Sequence, residues 1–262
     1  DGVQDTIVFT PNMKSSTAVA SYAFGIYDKS GTSVKTLSGN GTPPASIPWD
    51  GIADTGDAKG QLCPDGTYSA VIDVTLANGQ TAKSTVSGIT LDTEYPEVEV
   101  SAPYLVFSTD STAKRPNLPV AQKASAENLW TGSITAAGNR EVRNFTWEGQ
   151  AADFVWDGTD ASGNKVPDGT YRYTIFAQDP AGNRTIKSLD NIVIDSRVPK
   201  AYITAELPAF SPNGDGIKDT QNLTVHTTLK DGLASWSVVI KSADGSKAAS
   251  VKTWSSEKGN AL

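Results

Sequence analysis

Apolar side chains recur at every second position through the most regular stretches of the chain. Tyr68, Ala70, Ile72, Val74 and Leu76 form one such set, Tyr171, Tyr173, Ile175 and Ala177 a second, and Leu223, Val225, Thr227 and Leu229 a third. A period of two over this length predicts half-buried antiparallel strands with alternate residues turned to a core. Stretches with an apolar period of 3.6 are hard to find, so long helices are not expected. Asp65-Gly66, Asp168-Gly169, Gly163-Asn164 and Gly182-Asn183 punctuate the alternating runs. Such steps favour positive φ and mark tight turns.

The pattern repeats on a larger scale. Trp49-Asp50-Gly51 recurs 107 residues later as Trp156-Asp157-Gly158. Asp1-Gly2-Val3-Gln4-Asp5-Thr6 recurs as Asp215-Gly216-Ile217-Lys218-Asp219-Thr220, a separation of 214, twice that period. Pro64-Asp65-Gly66-Thr67-Tyr68 matches Pro167-Asp168-Gly169-Thr170-Tyr171 at 103, so the first copy carries four more residues after its Trp-Asp-Gly. Leu91 to Pro96 matches Ile194 to Pro199, and Ala234-Ser235-Trp236-Ser237 echoes Ala20-Ser21-Tyr22-Ala23.

A unit of about 107 residues is too long for a solenoid turn or a propeller blade and is the size of one immunoglobulin-like sandwich. The expected fold is therefore all-β, a tandem array of immunoglobulin-like antiparallel β-sandwiches. The expected units are 1–93, 94–195 and 196–262. Asp92 to Pro96 and Asp195 to Pro199 read as short linkers in which proline blocks strand pairing. The first unit is expected to lack its opening strand and the third everything from its Trp-Asp-Gly onward. The chain is then either a piece of a longer protein or one whose partners supply the missing strands.

The stretch from Trp156-Asp157-Gly158-Thr159 through Pro167-Asp168-Gly169-Thr170-Tyr171 resembles the immunoglobulin-like domain of flagellar hook-capping proteins. It also resembles related modules repeated in bacterial surface proteins, where turns like Asp179-Pro180-Ala181-Gly182-Asn183 are often seen. Phe210-Ser211-Pro212-Asn213-Gly214-Asp215-Gly216-Ile217-Lys218-Asp219 is similar to the opening of C-terminal domains of gliding and sorting-associated proteins. The resemblance implies a bacterial module with a structural or adhesive role.

Composition narrows the classes. Among 262 residues, 23 glycines and 14 prolines suit short strands and tight turns. A net charge of −7 repels nucleic-acid phosphates and anionic lipid heads. No apolar run of about 20 residues is present, so no membrane-spanning helix is expected. Cys63 is the single cysteine, which excludes an intrachain disulfide and fits an exported bacterial protein.

Candidate chemistry is sparse. Trp49 and Trp156 read as core anchors rather than sugar platforms. Tyr68 and Tyr171, each just after Asp-Gly, read as tyrosine corners with the hydroxyl bonded to nearby backbone. Together with Asp50, Gly51, Asp65, Gly66, Asp157, Gly158, Asp168 and Gly169 they form the repeated motif. Cys63 aligns with Val166, so it reads as a packed small hydrophobe. His226, the single histidine, is expected to face solvent between Thr224 and Thr228. No zinc cluster or Ser–His–Asp set emerges, and repeated turn carboxylates are poor candidates for catalysis, so no enzyme is expected. Asn213, Asp215, Ile217 and Asp219 are a candidate calcium loop, resembling part of the acidic loops of thrombospondin type-3 and dockerin repeats. The Glu that closes an EF-hand loop is missing, Asn222 standing there, and the middle copy has Ser108 to Thr112 instead. An Asx-turn entry to the next strand is the other reading. Asn144, Asn183 and Asn222 open glycosylation triplets, set aside because the resemblance is bacterial.

The expected role is a stalk or spacer in an exported bacterial surface protein, at the cell surface, in the periplasm or outside the cell. Its partners would be other domains of the same protein or envelope proteins. An assembly scaffold for a filament is one alternative. A carbohydrate-binding accessory module is another, with glycans as partners and Trp130, Trp147, Trp236 and Trp254 as candidate surface aromatics.

Overall fold

The structure, a computed structural model, describes residues 2–229, 231, 233–241 and 250–258. Asp1 of the opening motif lies outside the described residues. The chain divides into two compact units, Asp1–Ser196 and Arg197–Leu262. The fold is all-β, built from several sheets whose strands are antiparallel with one exception.

The first unit holds two sandwiches with separate cores. The first is made of β1 (Ile7–Phe9), β2 (Val19–Tyr27), β3 (Ser33–Asn40), β4 (Ile47–Trp49), β5 (Gly66–Leu76) and β6 (Thr81–Leu91). One sheet has the order β3-β2-β5-β6, and β1 pairs with β4 in the other. The alternation in β5 has the predicted effect: Tyr68, Ala70 and Val74 are buried, with Phe24, Ile26, Ile47 and Trp49 packed beside them.

The second sandwich runs through β7 (Val98–Ser101), β8 (Val106–Phe107), β9 (Leu118–Ala124), β10 (Glu127–Ala136), β11 (Arg140–Gly149), β12 (Phe154–Trp156), β13 (Gly169–Gln178) and β14 (Arg184–Ile194). Its sheets are β11-β10-β13-β14-β8 and β12-β9-β7, with β8 parallel to β14. Tyr171, Tyr173, Ile175 and Ala177 all point into the core, as the period of two requires.

Pairing shows how the sandwiches correspond. Ile7 opposes Trp49 as Leu118 opposes Trp156, and Ala70 opposes Val86 as Tyr173 opposes Leu189. Strands β1 to β6 thus match β9 to β14, and among the described residues β7 and β8 have no counterpart in the first sandwich. No strand crosses residues 92–97 or 195–200.

The second unit contains β15 (Ala201–Ala205), β16 (Leu223–Thr227), β17 (Ser237–Lys241) and β18 (Ser250–Ser255), paired as two antiparallel ribbons. Ala201 opposes Thr227 as Val98 opposes Ala124, so β15 and β16 repeat the β7–β9 pairing residue for residue.

Candidate functional site

The repeated motif closes one end of each sandwich. Asp50 Oδ1 accepts the Ile52 N–H at 3.1 Å and Asp157 Oδ1 accepts the Thr159 N–H at the same distance. Gly51 and Gly158 take φ of +80° and +75°, where a side chain would be strained. The turn carries the indole inward: Trp49 Nε1 donates to Ile52 O at 3.1 Å and Trp156 Nε1 to Thr159 O at 2.9 Å. Each indole meets a tyrosine edge-on at 5.1 Å, Tyr68 in one copy and Tyr171 in the other. Both hydroxyls donate at 2.5 Å to a proline carbonyl four residues upstream, Pro64 or Pro167. The tyrosines are therefore corners, and burial pushes both phenols up from their ordinary value. Asp65 accepts the Thr93 N–H and Asp168 the Ser196 N–H, at 3.0 and 2.9 Å. The Asp-Gly carboxylate thus clamps the start of the following linker in both copies.

Cys63 and Val166 are equivalent in space as in sequence. Both are buried, and their N–H groups donate to Gly51 O and Gly158 O at 2.8 and 2.9 Å. Burial raises the Cys63 thiol, with negative charge on Asp28 and Asp50 adding to the effect, which disfavours the reactive thiolate.

Asn213, Asp215, Ile217 and Asp219 do come together, in a loop that meets its own hydrogen-bonding needs. Asp219 accepts N–H bonds from Gly214 at 2.9 Å and Gly216 at 2.7 Å. Asp215 accepts the Ile217 N–H at 2.7 Å and the Asn213 side-chain amide at 3.0 Å. These bonds hold the Asp215 carboxyl below its ordinary value. The loop base is closed by Ser211 N–H to Lys218 O at 2.9 Å, and the middle copy closes identically, Ser108 N–H to Arg115 O at 2.9 Å. Two carboxylates and one amide fall short of the six to eight oxygens, on the order of which calcium takes. Among the described residues no three His, Cys, Asp or Glu side chains converge as metal ligands.

Two expectations about aromatic residues need correction. Trp130 is not a surface feature: it is 0% exposed, faces the core from the central strand β10, and donates from Nε1 to Ser125 O at 3.0 Å. Its cross-strand neighbour Trp147 is half-buried, stacked on Phe145 at 5.7 Å and packed near Phe154, so the pair makes no open strip. Trp236 and Trp254 are half-buried in the second unit. His226 stands on the expected face of β16 but is not free in solvent. Tyr202 opposes it across the ribbon and stacks on its ring at 4.5 Å, and Thr204 lies within hydrogen-bond distance at 3.0 Å.

Sequence reasoning missed the contact between the two sandwiches of the first unit. The Asp179–Asn183 turn, legible only as a turn, lies against the first sandwich. Asp179 accepts the N–H groups of Gly182 and Asn183 and the Asn183 side-chain amide, all within 2.9 Å. So oriented, Asn183 Nδ2 donates to Asp92 O at 3.0 Å. Gln4, with its amide nitrogen turned to the turn, donates to Pro180 O and Ala181 O at 3.1 Å. Gly182 has φ of +104°, and a Cβ there would sit 3.0 Å from Val3, so the close approach needs glycine.

Residues 107–180 match the family model of the FlgD Ig-like domain, in keeping with the resemblance carried by the Trp-to-Tyr stretch. No curated protein sequence matches the chain. Among solved structures, the fibronectin(III)-like modules of Clostridium thermocellum CbhA are 16% identical, with 74% of this chain and 87% of that one covered and a TM-score of 0.39. A tetra-tandem repeat from the extending region of a large adhesion protein is 17% identical, covering 97% of this chain and 62% of that one, TM-score 0.31. A 1.5-MDa bacterial ice-binding adhesin is 20% identical, covering 77% and 60%, TM-score 0.33. The chain thus spans about three-fifths of each adhesin structure.

Proposed function

We propose that the chain is a spacer segment of an exported bacterial surface protein, a stalk of tandem Ig-like sandwiches that holds other domains away from the envelope. The observation that carries this reading is the seated turn between the first two sandwiches. Asp179 shapes the turn, Asn183 and Gln4 fasten it, and Gly182 lets it approach. Contacts between domains of one chain are small and polar by default, and free relative motion is then expected. A turn anchored on both the neighbouring domain and the linker opposes that motion, which suits a spacer.

The reading is non-enzymatic. The carboxylates that recur between copies accept backbone N–H groups at turns and linker starts, where they cannot also serve as proton carriers without opening the turn. The carbohydrate-binding alternative needs an exposed row of aromatic faces, and the burial of Trp130 and the packing of Trp147 remove its best candidates.

Backbone ¹⁵N relaxation on the two sandwiches tests the proposal. A spacer predicts that they reorient as one body, and that Gln4→Ala combined with Asn183→Ala lets them tumble separately while each stays folded. Independent tumbling of the unaltered protein would sink it. Sedimentation over a wide concentration range adds a second check, because extended assemblies would favour a filament scaffold over a spacer.

A further inference from the structure

The first sandwich has an open apolar groove where the second has a strand. In the second, β7 pairs with the C-terminal half of β9, Val100 opposite Gln122 and Ser101 opposite Ala121, and lies across from β14. Val98 is buried and Val100 packs on the same core. In the first sandwich the positions matching Ala121 to Ala124 are Thr10 to Met13. They line a groove of about 650 Å³ whose floor includes Ile72 and Val74 and whose far wall includes Val86.

Equivalent residues differ as a missing strand requires. Leu118 is 0% exposed but Ile7, its counterpart, is 38% exposed. Ile175 is 0% exposed while Ile72 is only half-buried. Leu189 is half-buried while Val86 is 51% exposed. Among the described residues nothing pairs with the free side of β1, so its edge presents unused backbone groups beside an uncovered core.

We infer that this groove takes up an extended peptide strand with valine-like residues at alternate positions, entering antiparallel to Thr10–Met13 as β7 does on β9. The backbone is ready for it. Gln122 turns its N–H away from β7, to Asp153 Oδ1 at 2.7 Å. Its counterpart is Pro11, so the N–H that proline lacks is one the incoming strand would not use. Thr10 and Asn12 stand where Ala121 and Lys123 turn their backbone groups to β7. Main-chain pairing along the edge supplies affinity, and pockets for alternate side chains supply selectivity.

The probe is a capped ten-residue peptide with the sequence of residues 95–104, titrated into the whole chain by calorimetry and followed by ¹⁵N spectra. Saturable binding is expected, with shifts centred on Thr10, Asn12 and the β6 amides and slowed exchange at Thr10 and Asn12. Val86→Asp places a carboxylate on the apolar wall at an exposed position that folding tolerates, and should weaken binding about tenfold or more. Thr85→Asp, on the opposite face of β6, should leave it unchanged. A peptide with both valines replaced by aspartate should not bind. Absence of binding by the natural peptide, or binding indifferent to Val86→Asp, would overturn the inference. So would self-association of the chain that Val86→Asp abolishes without any peptide uptake, which would assign the groove to a second copy.

Discussion

Truncating the repeated tryptophan offers a quantitative test, because the two copies differ in one respect. Trp156 is 0% exposed and meets two rings edge-on, Tyr171 at 5.1 Å and Phe107 at 5.4 Å. Trp49 keeps the tyrosine, but among the described residues no ring stands in the place of Phe107. Replacing a buried tryptophan by alanine costs about 3–5 kcal/mol, from lost transfer energy and the cavity left behind. An aromatic pair adds about 0.5–1.5 kcal/mol beyond its buried area. Both substitutions should therefore be severe, with Trp156→Ala costlier than Trp49→Ala by about the value of one pair. Hydrogen exchange resolved by peptide reads this repeat by repeat, using β13 amides for one sandwich and β5 amides for the other. The reasoning fails if Trp49→Ala proves the costlier change. It fails too if either substitution shifts its own sandwich by less than about 1 kcal/mol, since a core anchor cannot be removed so cheaply.

Other expectations follow from single sites. Cys63→Val should change stability by less than about 1.5 kcal/mol, because the second copy already carries valine there, and unfolding midpoints check it. Calcium at millimolar concentration should leave the unfolding temperature of the chelator-treated chain unchanged. A rise of several degrees with a matching isotherm would mean that the Asn213–Asp219 loop binds the ion in the folded state. Asp157 should contribute to acid sensitivity. Burial opposes its ionisation, but the Thr159 hydroxyl and N–H and the Arg143 guanidinium outweigh it, so its carboxyl lies below the ordinary value of 3.8. Its folded pKa being the lower one, the stability it adds is complete above the ordinary carboxylate range and is lost as pH falls through the folded value. Asp157→Asn should accordingly flatten the loss of stability below about pH 4 in acid titrations.

The alternation in β5 and β13 was readable because both strands are central and half-buried, so period two maps directly onto burial. The turn and corner residues were readable because their chemistry is local: an Asp-Gly step and a tyrosine a few residues away suffice. Trp130 was not readable, and the reason lies in how the two cores are filled. It pairs across the sheet with Ala177, where the first sandwich pairs Tyr22 with Val74. One step along, Gly132 stands where the first sandwich has Phe24, and Tyr173 where it has Ala70. A Cβ on Gly132 would lie 2.6 Å from the Tyr173 hydroxyl and 2.9 Å from Trp147. The second core thus keeps its large rings by giving up a side chain, and the first does the reverse. Volume is conserved across neighbouring positions while identity is not, so a search for recurring residues passes over the core and finds the turns.

The same contrast bears on what the acidic residues are for. The loop closed by Ser211 and Lys218 has the same 2.9 Å backbone bond as the loop closed by Ser108 and Arg115, though one holds Asn213, Asp215 and Asp219 and the other a single aspartate, Asp110, over the same span. Asp110 accepts the Thr112 N–H at 2.9 Å and the Thr112 hydroxyl at 2.8 Å, which lowers its pKa from the ordinary value. One carboxylate facing backbone donors is then enough to form this loop. Two such carboxylates in the other copy satisfy a larger number of N–H groups around Gly214 and Gly216, which adopt φ of +82° and +83°. Seen this way, acidity in the chain follows the number of turn amides that need an acceptor. That is the economy of a protein whose turns must hold their shape, and it explains why its carboxylates cluster without forming a reactive centre.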